Sequence, residues 1–102
     1  MIKLKKQFEI EYNHKKLIVE QTTYASNGRY ALQAFEDGEP FDVLTVNIEA
    51  YDCNFPNAKT IFLNTNHVPG IKKSLLEAGL IEDLNCKVQS GFCTYPVVRW
   101  LR

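Results

Sequence analysis

The stretch Asn27-Gly28-Arg29-Tyr30-Ala31-Leu32-Gln33-Ala34-Phe35-Glu36-Asp37-Gly38, continued by Glu39-Pro40-Phe41-Asp42-Val43-Leu44-Thr45-Val46-Asn47-Ile48, holds two turn dipeptides around one β-prone run and ahead of another. Asn-Gly and Asp-Gly are strong hairpin signals, because a type I′ turn needs positive φ at both central residues. Tyr30–Phe35 and Phe41–Ile48 are rich in aromatic and β-branched side chains. Such residues fit the pleated, half-buried surface of a strand. Two adjacent strands joined by a tight turn must run antiparallel.

Upstream the same pattern repeats. Phe8, Ile10 and Tyr12 alternate with Glu9 and Glu11, the period of a strand with one buried face. Asn13-His14 separates this run from Leu17-Ile18-Val19. Four β-prone runs joined by three close turns predict an up-and-down antiparallel sheet.

Downstream the pattern breaks at Ala50-Tyr51-Asp52-Cys53-Asn54-Phe55-Pro56-Asn57-Ala58, where Pro56 and the Asp/Asn cluster mark an irregular connection. Lys59–Leu63 reads as a short strand. Asn64-Thr65-Asn66 and Pro69 offer helix-start chemistry. The spacing of Ile71, Leu75, Leu76 and Ala78 predicts one helix over about 68–79, with Lys72, Lys73 and Glu77 outside and Gly79 at its end. Lys87-Val88-Gln89 and Tyr95–Leu101 supply further strands, with Ser90-Gly91 as a bend. The expected fold is α+β: an antiparallel meander sheet of about five to seven strands, with the helix packed on one face, in a single domain over residues 1–102.

Bulk chemistry narrows the function. Twelve Lys and Arg balance twelve Asp and Glu, so the chain lacks the basic excess that phosphate binding needs. The local basic start, Lys3, Lys5 and Lys6 with Lys15 and Lys16, reads as a solvated face or a guarded edge strand. Three cysteines, Cys53, Cys86 and Cys93, suit reduced thiols better than a disulfide framework. Met1–Lys6 begins basic but no apolar stretch follows, so no signal peptide is expected. No run approaches the ~20 apolar residues of a membrane helix. A cytoplasmic location follows as an expectation.

Catalytic and cofactor signals are absent. The five glycines lie scattered at expected turns and helix ends, so there is no phosphate loop, and no CxxC or HxxxH spacing implies a metal. No cofactor is expected. Asp52, Cys53, Asn54, Asn64 and His67 are the candidate lining of a pocket in the 51–67 region, with Cys53 and His67 as a conceivable nucleophile and base. The acids Glu36, Asp37, Glu39 and Asp42 read as a solvated turn. In the tail, Phe92, Tyr95 and Arg99 form the candidate binding surface, framed by Gly91 and Pro96. Phe92 and Tyr95 also suit core plugs at a bent strand entry.

Gly91-Phe92-Cys93-Thr94-Tyr95-Pro96 with Arg99-Trp100 resembles the closing motif of a small uncharacterised bacterial family, a domain of unknown function. The resemblance extends back through Ala50-Tyr51, Asn57, Phe62-Leu63-Asn64-Thr65-Asn66 and Gly79-Leu80, over residues 28–102. It implies a setting on plasmids, conjugative elements and phages, and a cytoplasmic location. It carries no catalytic residues. The expected function is a non-enzymatic protein-binding accessory or inhibitor protein of a mobile genetic element, with a host or element-encoded protein as partner. The alternatives are homodimerisation through an edge strand, a small ligand-binding protein or enzyme using the 51–67 region, and weak nucleic-acid binding through the basic N-terminal strand.

Overall fold

The computed structural model describes residues 6–102. Eight strands and one helix follow in order: β1 (Lys6–Tyr12), β2 (Lys15–Thr23), β3 (Tyr30–Glu36), β4 (Glu39–Val43), β5 (Thr45–Val46), β6 (Thr60–Leu63), α1 (Ile71–Glu77), β7 (Ile81–Ser90) and β8 (Cys93–Trp100). The class is α+β with antiparallel pairing throughout. The strands form two sheets, ordered β1-β2-β3-β4 and β5-β6-β8-β7.

The division falls inside the run Phe41–Ile48. The Leu44 N–H donates to the Leu32 carbonyl at 2.8 Å, while its own carbonyl accepts from Asn64 N–H at 2.9 Å. One buried residue therefore pairs with the first sheet through its donor and the second through its acceptor. Strand-switching of this kind makes the corner of a sandwich.

The core lies between the sheets. Ile10, Leu17, Val19, Leu32 and Ala34 come from the first, and Ile61, Leu63, Ile81, Val98 and Trp100 from the second. Ile71 and Leu75 bring the helix into the same cluster, while Leu76, expected on the apolar face, is 40% exposed. The helix lies against β1 and β7, the outer strands of the two sheets.

Turn chemistry follows the sequence at two hairpins. Asn13 and His14 both have positive φ (49° and 62°), as do Asp37 and Gly38 (50° and 81°), and each pair is the two-residue loop of its hairpin. Asn27-Gly28 departs from expectation. Thr23 pairs with Tyr30, so six residues form the loop, and of the dipeptide only Gly28 is left-handed. The Asn27 side chain is engaged elsewhere, as described below.

The helix also starts later than its spacing predicts. Gly70, at φ 82°, precedes Ile71, and no side chain caps it. The Pro69 carbonyl instead accepts from the Tyr12 hydroxyl at 2.7 Å. At the other end Gly79 N–H donates to Leu76 O and Leu80 N–H to Leu75 O, at 3.0 and 3.1 Å. That is a Schellman closure, with the buried Leu80 folded back into the core.

The strand expected at Lys87–Gln89 is the end of the ten-residue β7. A bulge between Asp83 and Cys86, with Asn85 at φ 54°, interrupts the alternation that would have revealed the rest. Gly91 and Phe92 are the turn itself: Ser90 pairs with Cys93, and only Gly91 has positive φ. Glycine first with an ordinary second residue is the type II′ pattern.

Candidate functional site

Sheet β5-β6-β8-β7 carries apolar packing on both faces, complete only along β6. Its inner face joins the main core; its outer face carries Phe62, Val88 and Val97, packed against Ile48, Tyr51, Phe55 and Tyr95. This explains why Thr60–Leu63 is buried at every position. The cover is the 47–58 connection, which opens on a 3-10 turn at Glu49–Tyr51. Tyr51 and Phe55 meet Phe62 at centroid distances of 6.2 and 5.8 Å. Tyr51 also donates its hydroxyl to the Gln89 carbonyl at 2.8 Å.

A buried arginine fastens that cover. Arg29 is 4% exposed. Its Nη2 donates to Asp52 Oδ1 at 2.9 Å and Phe55 O at 2.8 Å, and its Nη1 to Thr60 O at 2.8 Å. The guanidinium stands 5.1 Å from the Phe62 centroid, a cation–π distance. Asn27 completes the anchor by donating to Asn47 Oδ1 at 2.9 Å and Asp52 Oδ1 at 3.0 Å. The hydrogen bond from Arg29, followed by that from Asn27, holds the Asp52 carboxyl below the usual carboxylate range against the opposing effect of desolvation.

Asp52 therefore serves the anchor. Cys53 and Asn54 are exposed on the same connection. Asn64 is buried, 8% exposed, and donates to the Val43 carbonyl at 3.0 Å, tying the strand switch. His67 is exposed in the turn before α1, its N–H on Asn64 O at 3.2 Å. No hydrogen bond joins Cys53 to His67 among the described residues. Nor does any group of three His, Cys, Asp or Glu among them form a metal-binding cluster.

The tail residues separate. Phe92 stands fully exposed on the turn between β7 and β8, at 108% of its reference area. Tyr95 packs against the outer cluster. Its hydroxyl is pushed up first by its hydrogen bond with the Cys93 thiol and then by burial, with the Asn66 side chain opposing. Arg99 is exposed and pairs with Glu82 at 3.6 Å. Seven residues of extended chain put Arg99 about 23 Å from Phe92, so the two do not share a patch.

Two features were not foreseen. Arg29 directly follows a turn glycine, and its acidic partner lies 23 residues away, so no local pattern announces it. The other is a groove of about 690 Å³ between the β1–β2 hairpin and α1, with Glu9, Glu11, His14, Lys16 and Glu77 among its walls. Its charges are paired in part, Lys16 with Glu9 at 3.6 Å, and Glu77 with Lys73 one turn earlier on α1 at 3.9 Å. Lys15 pairs with Glu36 at 3.8 Å. Of the basic start, Lys3 and Lys5 lie outside the described residues.

The family model for a domain of unknown function, DUF4313, matches residues 16–102. The chain belongs to that family. The matched span runs from β2 to the end of the chain and takes in the Arg29–Asp52 anchor, α1 and the β7–β8 hairpin. No curated protein and no solved structure gives a significant match. No helix among the described residues is long and apolar enough to cross a membrane.

Proposed function

We propose that this member of the family is a non-enzymatic protein-binding module whose contact point is the β7–β8 hairpin. The observation that carries this reading is Phe92. A large aromatic side chain held wholly in water at a rigid two-residue turn gains nothing for the fold. It gains apolar burial as soon as a partner pocket receives it. The flanks match such a role, since Val88–Val98 contains no charged residue in a chain that is 24% charged. Charge depletion around an aromatic anchor is the composition of an interface centre.

The setting of plasmids, conjugative elements and phages, implied by the resemblance of the closing motif, supports an accessory or inhibitor protein acting on a host or element-encoded protein in the cytoplasm. The other reading, a ligand site in the 51–67 region, has less to work with. Asp52 and Asn64 are committed to holding the chain, leaving Cys53 and Asn54 exposed on one turn and His67 on another. The test is capture from bacterial lysate with the tagged protein, read by mass spectrometry. One stoichiometric protein is the expected result, and an empty capture would contradict it.

A further inference from the structure

Asn27 alone among the asparagines precedes a glycine. That dipeptide is the one most open to deamidation, because a glycine leaves the following backbone nitrogen free of side-chain obstruction. The Gly28 nitrogen attacks the Asn27 side-chain carbon, gives up its proton and closes a cyclic imide, while the side-chain nitrogen departs as ammonia. Water then opens the ring at either carbonyl, to aspartate or to isoaspartate. No other reactant is consumed. Asn27 is half-buried and Gly28 exposed, so water reaches the pair.

In the folded chain the groups that this step needs are already engaged. The Gly28 N–H donates to the Tyr24 carbonyl at 2.8 Å, an oxygen that accepts the hydrogen bond but takes no proton. The Asn27 Nδ2 is held by Asn47 Oδ1 at 2.9 Å and Asp52 Oδ1 at 3.0 Å, and Asn27 Oδ1 accepts from the Arg29 N–H at 3.1 Å. That last contact alone would favour attack, since it stabilises negative charge on the oxygen. The other three outweigh it. The nucleophile cannot pass its proton to Tyr24, and the side-chain carbon cannot turn onto it without breaking both bonds of Nδ2. Reaction therefore waits on local opening of the 24–29 loop.

We infer that Asn27 is a deamidation site that the fold holds in check and whose conversion releases the 47–58 cover. Aspartate puts an oxygen where Nδ2 stood, facing the Asn47 and Asp52 oxygens with no proton to share. Two carboxylates then stand at the 3.0 Å spacing of the former hydrogen bond, where like charges repel. Asn47 can turn its amide round to donate only by giving up Ser26 Oγ, now at 3.1 Å. Isoaspartate instead adds a carbon to the main chain two residues before Arg29, displacing the guanidinium that holds the Phe55 and Thr60 carbonyls. Either product loosens Tyr51 and Phe55 from Phe62, and neither reverts.

Ageing of the whole chain in mildly alkaline buffer, folded and in guanidinium chloride, tests the restraint and needs no variant to fold. Peptide mapping by mass spectrometry reads conversion at residue 27, with isoaspartate separated from aspartate. The expected result is conversion at Asn27 in both samples, at least about tenfold slower in the folded protein because only opened molecules react. Folded Asn47→Ala, which frees one bond of Nδ2, should age faster than the folded wild type. Equal rates for folded and denatured wild type, or an Asn47→Ala chain that ages no faster, would overturn the inference. Hydrogen exchange tests the release. Asn27→Asp should speed exchange over residues 47–58 more than Asn27→Ala, which removes the same donor without adding charge, while β1 and β2 exchange as in the wild type. Equal exchange over 47–58 in the two variants would overturn release by the new carboxylate.

Discussion

Arg29 Nη2 lies 2.9 Å from Asp52 Oδ1, and the arginine is buried while the carboxylate reaches solvent. This pair fixes the 47–58 connection over the outer face of the second sheet. The same guanidinium also satisfies the Phe55 and Thr60 carbonyls, so it supports the chain even without its ionic partner. Arg29→Ala takes away the donors to those carbonyls and the cation beside Asp52, leaving that acid only the Asn27 amide. The expected loss is on the order of 3 kcal/mol, measured by urea unfolding. Arg29→Lys should recover little, because an ammonium cannot span three acceptors in one plane.

The pH dependence follows from the same pair. Asp52 has its folded pKa lowered below 3.8, chiefly by Arg29, and Asp83 is lowered likewise, chiefly by Lys72. A depressed folded pKa gives stability that is present above the unfolded value and is lost as pH falls through the folded one. The wild type should hold its urea midpoint above about pH 5 and lose it steadily below pH 4. Asp52→Asn should flatten part of that slope, leaving the Asp83 share. An unchanged acid slope in the variant would show that Asp52 is not linked to folding.

Phe62 carries the outer cluster and touches the anchor, so Phe62→Ala should cost about 3–5 kcal/mol. Phe92→Ala should change stability by less than about 0.5 kcal/mol. Thermal unfolding of both variants gives the contrast directly.

Backbone strain supplies another prediction. His14 sits at φ 62° in the first hairpin, a conformation that costs an L side chain about 1–2 kcal/mol and glycine almost nothing. His14→Gly should raise the unfolding midpoint. Gly79→Ala at φ 72° should lower it, since that glycine closes α1. Denaturant titration of the pair reads both signs.

Much of the fold was legible where side chains alone set the structure. The alternation of Phe8, Ile10 and Tyr12 and the Asp37-Gly38 turn reappear as predicted. The class followed from them. The second sheet was not legible, because the split at Leu44 is made by backbone hydrogen bonds that any residue can form. Asn27-Gly28 misled because the Asn27 amide is drawn to Asp52 and Asn47, a tertiary contact that overrides local turn preference. Most of β7 was hidden by its bulge. At the candidate site, sequence singled out Asp52 and Phe92 but neither the arginine behind the first nor the exposure of the second. In sequence Phe92 reads first as a core plug, and its fully exposed place on the β7–β8 turn overturns that.

The most direct measurement sets the wild type beside Phe92→Ala in one quantitative capture from bacterial lysate, with equal folded protein on each support. The account predicts one protein bound stoichiometrically to the wild type and depleted at least tenfold on the variant, the loss of a buried aromatic anchor being worth about 2 kcal/mol or more. The same protein retained equally by both would contradict the assignment of Phe92 as the contact point.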